Sequence, residues 1–251
     1  GGTFVMVAPA DPFRCPPGPY ERISLVAHYI KNNKPNSKII VLDQKDKFSK
    51  QALFSNGWKE LYGDLIDWRA AQFGGKVVSV DPVKKIVVTE DEEVQADVLN
   101  YIPNQKASQL AFDSGLVADG KDWCDIHPKT FESKLVKNVH VIGDASNAAP
   151  MPKSAFSAST QGKVVALQIA RVLKQQEPLN PPKLANTCYS LLSPNYGISI
   201  AAVYNALDDK IQNVDGAGGV SPETDPDGHI RILEAKYAYA WYESQTADIF
   251  K

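Results

Sequence analysis

The stretch Thr3–Asp43, TFVMVAPADPFRCPPGPYERISLVAHYIKNNKPNSKIIVLD, decides the fold. Thr3 to Ala8 is a continuous apolar run of the buried-strand type. Pro19 to Asn32 has helical spacing, with Ile23, Val26, Ala27 and Ile30 on one face, and Pro35 and Asn36 stop it. Lys38 to Leu42 is a second strand, closed by Asp43. Together these predict a parallel, right-handed β-α-β unit. A dinucleotide-binding unit carries GxGxxG between strand and helix. Here that position holds Ala-Asp-Pro-Phe-Arg-Cys-Pro-Pro-Gly-Pro, residues 10–19. Its prolines remove backbone N–H donors and stiffen the loop, so a pyrophosphate finds few partners. The unit therefore has the shape of a nucleotide-binding domain without the function, and Asp43 reads as a structural residue, not a ribose ligand. Cys15 has two readings: a thiol activated by the neighbouring Arg14, or an inert buried cysteine.

Working outward, Asn56 to Gln72 is expected as one helix, with Trp58, Leu61, Leu65 and Trp68 as a core stripe. Lys76–Val80, Lys85–Thr89 and Val94–Ile102 read as an antiparallel meander joined by polar turns. Asn104 to Leu116 is expected as a loop and a short helix. Cys124 and His127 lie three apart with no further Cys or His ligand near, so no metal site is expected there.

The next informative stretch is Asn138–Gln175, NVHVIGDASNAAPMPKSAFSASTQGKVVALQIARVLKQ. Val139 to Ile142 reads as a short strand, Gly143 and Asp144 as a tight turn, and Thr160 to Leu173 as a helix. Asp144 can accept hydrogen bonds from ligand hydroxyls, and free N–H groups at the helix start near Gln161 and Gly162 can hold an electron-rich group. The alternative is an ordinary strand–loop–helix with a turn aspartate. Beyond Leu173 comes a proline-rich linker, EPLNPPKL. Two strand-like runs follow, Cys188–Leu192 and Tyr196–Tyr204, then a Gly/Pro/Asp-rich turn region, Asn213–Gly228, and a closing helix, Leu233–Ile249.

The 251 residues are 43% hydrophobic and 22% charged, which suits a globular chain with a sizeable core. A net charge of −2 argues against a general nucleic-acid binder. No apolar run approaches the ~18–20 residues of a membrane span. The chain opens on GGTFVMVAPA without an initiator Met and reads as a fragment whose N-terminus lies elsewhere. The 3 cysteines, Cys15, Cys124 and Cys188, exclude a disulfide-dense scaffold, and none forms CxxC.

VHVIGDAS followed by PKSAFSASTQGKVVA resembles the C-terminal flavin-contacting segment of the flavoprotein subunit of flavocytochrome c sulfide dehydrogenase. ADPFRCPPGPYERISL, FSKQALFSNGWKELYG, NTCYSLLSP and the EAKYAYAWYES region are similar to the same family. The resemblance covers essentially the whole chain. It implies an α/β flavoprotein with two dinucleotide-binding domains, glutathione-reductase-like, ending in an α+β domain. Residues 1–98 would be a partial nucleotide-binding-like domain, 99–176 the C-terminal part of the FAD-binding domain, and 177–251 an interface domain. The segment carrying the glycine-rich phosphate loop would be missing, so FAD binding by residues 1–251 alone is expected to be weak or nil.

The resemblance implies that Cys15 and Cys188 form a redox-active disulfide over the flavin, opened by sulfide through thiol–disulfide exchange. Asp144, next to Gly143, would hold the ribityl chain. Thr160, Gln161 and Gly162 would face the pyrimidine end, where N–H groups stabilise the reduced ring. Trp241 would lie between flavin and the haem of a c-type cytochrome partner, and Cys124 has no implied role. A persistent disulfide and such a partner fit a periplasmic location. Two alternatives are a sulfide:quinone oxidoreductase of the same superfamily and a non-catalytic fragment without flavin. The helix Leu233–Lys251 has no basic polar face, which disfavours the membrane-bound enzyme.

Overall fold

Strand β1 (Thr3–Ala8) and strand β2 (Lys38–Asp43) run parallel, in register from Thr3 opposite Lys38 to Ala8 opposite Asp43. Helix α1 (Gly18–Asn33) crosses between them, with a proline in its first turn where the missing N–H costs nothing. This computed structural model describes residues 1–251. Asp43 is fully buried and accepts bonds from Tyr20 Oη, Trp68 Nε1 and Lys45 Nζ, which makes it a structural residue.

The expected helix Asn56–Gln72 is instead a helix and a strand. Helix α2 (Gln51–Tyr62) stops at Gly63, whose φ of 59° a side chain would resist. Strand β3 (Ile66–Arg69) then pairs parallel with β2. The stripe keeps its core role: Trp58 is buried, and Leu61, Leu65 and Trp68 pack against the same cluster. Strands β4 (Val77–Asp81), β5 (Ile86–Thr89) and β6 (Glu93–Gln95) form the antiparallel meander. The expected strand Val94–Ile102 is split. The Ala96 N–H goes to Lys85 O in the meander, while the Asp97 N–H goes to Thr3 O in the main sheet. Strand β7 (Val98–Tyr101) thereby joins β1 in parallel, and the sheet order is β3-β2-β1-β7.

After the short helix α3 (Gln109–Asp113), Val139–Ile142 is not a strand. It meets residues 131–133 through only two backbone bonds, Ser133 N–H to Val139 O and Val141 N–H to Phe131 O, too few for a ladder. Helix α4 (Ala155–Leu173) begins five residues before the expected Thr160, because Ser154 caps it by accepting the Ser157 N–H on its side chain. Strands β8 (Lys183–Ser193) and β9 (Tyr196–Ala206) form a hairpin. Much of the expected turn region is strand β10 (Ile211–Val220), paired with β9. Its glycines permit this: a Cβ at Gly218 would lie 2.4 Å from Ala201 O. Helix α5 (His229–Phe250) closes the chain against β9.

The tip of the hairpin fixes the site. Leu192 and Ile198, both fully buried, enter the core formed by Tyr20, Ile39, Phe54 and Trp58. Burying each such side chain contributes about 1.5–3 kcal/mol. That packing lays β8 along α1. No helix is long and apolar enough to cross a membrane.

Candidate functional site

Cys15 sits just before α1 in a left-handed backbone conformation, φ 50°. Its N–H donates to Lys153 O at 2.7 Å, and its carbonyl accepts the Gly18 N–H at 2.7 Å. The loop residue preceding α4 therefore clamps the cysteine loop. Cys188 stands mid-way along β8 on its buried face, between Asn186 and Ser190. Both cysteines are free thiols, and both line one cavity of about 490 Å³. Glu21, Phe156, Leu191 and Trp241 line it with them. Trp241 stacks on Phe156 with ring centroids 5.8 Å apart. Cys15 and Glu21 also border a second cavity of about 560 Å³ on the side of Arg22 and Ile102.

Cys15 is exposed as a residue, but the wall around its sulfur desolvates the thiol and pushes it up to about 11, and Cys188 and Glu21 add to the rise. Lys50 and the Gly18 N–H oppose it. Arg14, the activating group in one of the two readings of Cys15, does not act on this thiol. Its guanidinium is spent on Lys106 O at 2.8 Å and on the Asp144 carboxylate at 3.7 Å.

The buried cation whose charge bears on both cysteines is Lys50, which sequence reasoning passed over. It caps the start of α2 with φ 62° and turns its side chain back under the hairpin. Nζ donates to Cys188 O and Ser190 Oγ, each at 2.8 Å, and to Ile198 O at 3.5 Å. Burial lowers its ammonium to about 8, against the attraction of Cys188, Glu21, Cys15 and Glu234. Glu21 accepts the Leu191 N–H at 2.7 Å. Burial pushes its carboxyl up, while that bond and Lys50 pull it down.

A second cluster surrounds the Gly143–Asp144 turn, a 3-10 turn running from Gly143 to Ala145. Lys153 Nζ donates to Asp144 O at 2.9 Å and Ser146 O at 2.7 Å, and lies 3.7 Å from the centre of the Trp123 ring. Burial lowers this ammonium too, to about 8. Thr160, Gln161 and Gly162 are inside α4, so their N–H groups face the preceding turn and not a ligand. The helix end with open N–H groups is at Ala155 and Phe156. Gln161 acts through its side chain: buried Oε1 accepts the Gly143 N–H at 2.7 Å and fixes the turn. Cys124 is fully buried in a separate core cluster with Trp123, Phe131, Val141 and Met151, and its backbone bridges Ser146.

Two family models match the chain: the central part of the sulfide dehydrogenase (flavocytochrome c) flavoprotein chain over residues 1–103, and the flavin-binding part of flavocytochrome c sulphide dehydrogenase over residues 180–250. The chain belongs to the flavocytochrome c sulfide dehydrogenase flavoprotein family. The family is one of flavoprotein oxidoreductases. Solved structures share the fold. A chain of the Tetrahymena thermophila mitochondrial ATP synthase matches with a TM-score of 0.60 at 14% identity, over 97% of this chain and 59% of that one. The HOCl-induced flavoprotein disulfide reductase RclA of Escherichia coli, in a Cu(II) complex, matches at 0.52 and 10% identity, over 80% and 42%. This chain therefore spans less than two thirds of these relatives.

A flavin fits these residues at one end. The Asp144 carboxylate is 38% exposed and held only by Arg14, which leaves acceptor capacity for ribityl hydroxyls. The start of α4 offers donors. Trp123 Nε1, beside Lys153, is buried without a partner. For the phosphate end, none of the 251 residues forms a glycine-rich turn between strand and helix; the β1–α1 turn is proline-rich.

Proposed function

We propose that this chain carries the thiol chemistry of a sulfide-oxidising flavoprotein, with Cys15 and Cys188 as the redox pair. The observation that supports it is the shared cavity of these two cysteines, drawn from opposite ends of the chain and facing one buried cation, Lys50. In the oxidised state the two sulfurs form a disulfide. Hydrosulfide attacks one of them, a bond forms between the incoming sulfur and that Sγ, and the S–S bond breaks. The proton of the hydrosulfide passes to solvent, and the electron pair of the broken bond stays on the other Sγ as a thiolate. FAD, when bound, would supply the two-electron acceptor for the reduced pair, so that the thiolate and the persulfide are reoxidised together with a new S–S bond between them. Asp144 holds the ribityl hydroxyls, Gln161 keeps the Gly143 turn in shape, and Lys153 and Arg14 tie that turn to the cysteine loop. Trp241, stacked on Phe156 in the cavity wall, lies on the route toward a c-type cytochrome subunit, in a periplasmic setting.

The test is a sulfide titration of the intact flavoprotein, followed by the flavin spectrum. Bleaching in wild type and its loss in Cys188→Ser are expected. Absence of bleaching in wild type, or full bleaching in Cys188→Ser, rejects the mechanism.

A further inference from the structure

Strand β8 turns Leu184, Asn186, Cys188, Ser190 and Leu192 inward. A buried amide in such a row must find partners or cost free energy. Asn186 is 3% exposed and finds them on two sides. Its Oδ1 accepts from Ser154 Oγ at 2.5 Å and from Ser157 Oγ at 3.2 Å. The Ser154 hydroxyl oxygen already accepts the Ser157 N–H at 3.1 Å, so its proton is directed to the amide oxygen. The start of α4 thus fixes which end of the amide is which. Nδ2 is left facing Cys188 Sγ at 3.4 Å.

We propose that Asn186 is a catalytic residue of the thiol pair, donating a hydrogen bond from Nδ2 to the Cys188 sulfur when that sulfur is an anion. This deepens the function proposed above and rests on it. The same amide also serves the protonated state, because the Cys188 S–H can donate to Oδ1 at 3.5 Å. Loss of the proton to solvent through the cavity therefore needs no rearrangement of the amide. Charge-assisted bonds of this kind are about twice as strong as neutral ones, so the donor favours the thiolate. The other titratable groups around Cys188 are Cys15 from its loop, Lys50 from the start of α2, Tyr204 from β9 and, in the wall of the same cavity, Glu21 from α1, the neighbouring Tyr189, and Tyr239 and Tyr242 from α5; α4 contributes only the two serine hydroxyls. Glu21 from α1 and Glu234 from α5 face Lys50.

The experiment uses the intact, reduced flavoprotein in a Cys15→Ser background, so that modification at Cys188 is read alone. Alkylation by iodoacetamide is followed against pH by peptide mass. Asn186→Ala and the isosteric Asn186→Asp are expected to react about tenfold more slowly near neutral pH and to recover the wild-type rate at high pH, moving the half-maximal pH upward. A purely structural role slows the reaction equally at every pH. Ser154→Ala keeps Asn186 but unlocks its oxygen, and decides the matter if the Asn186 variants do not fold: a smaller upward shift supports the proposal. An unchanged profile, or uniform slowing, overturns it. The readout needs no sulfide. Sulfide oxidation is scored separately in the protein with Cys15 intact: if the shift appears while that protein fails to oxidise sulfide, only the function is rejected, and if it oxidises sulfide while the shift is absent, only this inference is.

Discussion

The ammonium of Lys50 donates to the carbonyl oxygen of Cys188 at 2.8 Å, joining the start of α2 to the strand that carries the buried cysteine. The same cation is one of only two groups that lower the Cys15 thiol. Lys50→Met keeps the length of the side chain and removes the charge. Its loss leaves Cys188 O and Ser190 Oγ without their donor, at a cost of about 1–3 kcal/mol in urea unfolding. Below about pH 8, where Lys50 keeps its charge, the thiolate at Cys15 loses its cation in the variant, so alkylation of Cys15 is expected to slow there and to approach the wild-type rate at higher pH. Lys50→Arg is expected to restore part of the rate. An unchanged alkylation profile in Lys50→Met would remove Lys50 from the account of this thiol.

Lys153 gives a prediction about pH. Burial is the main reason that its ammonium is lowered from 10.5 to about 8. Between those two values the unfolded chain holds a proton on this lysine and the folded chain does not. Stability therefore rises with pH across that window, and below about 8 the penalty is constant. Lys153→Met has no such proton. The stability difference, wild type minus variant, is expected to grow in favour of wild type from pH 8 toward 10.5, measured by urea denaturation. The groups common to both proteins cancel in the difference. A flat difference would mean that Lys153 is not held in this state.

The sequence carried the β-α-β unit because its apolar runs and its stop residues agree, and the structure adds only the partners of β1. It misplaced elements where a single residue or a tertiary partner decides. Gly63 ends α2 where helical spacing continues through Trp68. Ser154 starts α4 where small residues hid the boundary, although Ser at the N-cap was a readable signal. The cysteines were legible through family likeness, not through spacing. Asn186 had a signal that went unused: polar residues at 186 and 190 alternate with Cys188 on a face that Leu184 and Leu192 mark as buried. Lys50 had none, since a lysine before a helix is ordinarily solvent-exposed and its burial arises from the hairpin folding over it.

Gly197 tests the seating of α5. A Cβ on this residue would lie 2.3 Å from Ala235 N and 2.5 Å from Glu234 C, both backbone atoms of the helix. Neither can rotate away, so Gly197→Ala must push α5 off β9. Overpacking of this kind costs about 1–3 kcal/mol or more. Glu234 would move with the helix and loosen its bonds to Ser199 Oγ and Ser221 Oγ, each 2.8 Å. The expected result is a lowered melting temperature together with increased proteolysis within α5. A variant as stable as wild type would contradict the close helix–strand contact.

Gln161 separates a backbone role of the α4 segment from a side-chain role. The family likeness placed residues 160–162 at the flavin as N–H donors. In the structure the Gly143 N–H is bound by Gln161 Oε1 at 2.7 Å, from a side chain 2% exposed. Gln161→Leu leaves the helix N–H groups untouched and removes that acceptor. A buried N–H without a partner costs about 1–3 kcal/mol. The loss falls on the turn that carries Asp144, so flavin affinity of the intact protein is expected to drop, while its thiol chemistry in the reduced state stays at the wild-type rate. Gln161→Glu retains an acceptor and is expected to recover much of the affinity. Equal flavin binding in Gln161→Leu and wild type, measured by fluorescence on release, would return the role to the helix backbone.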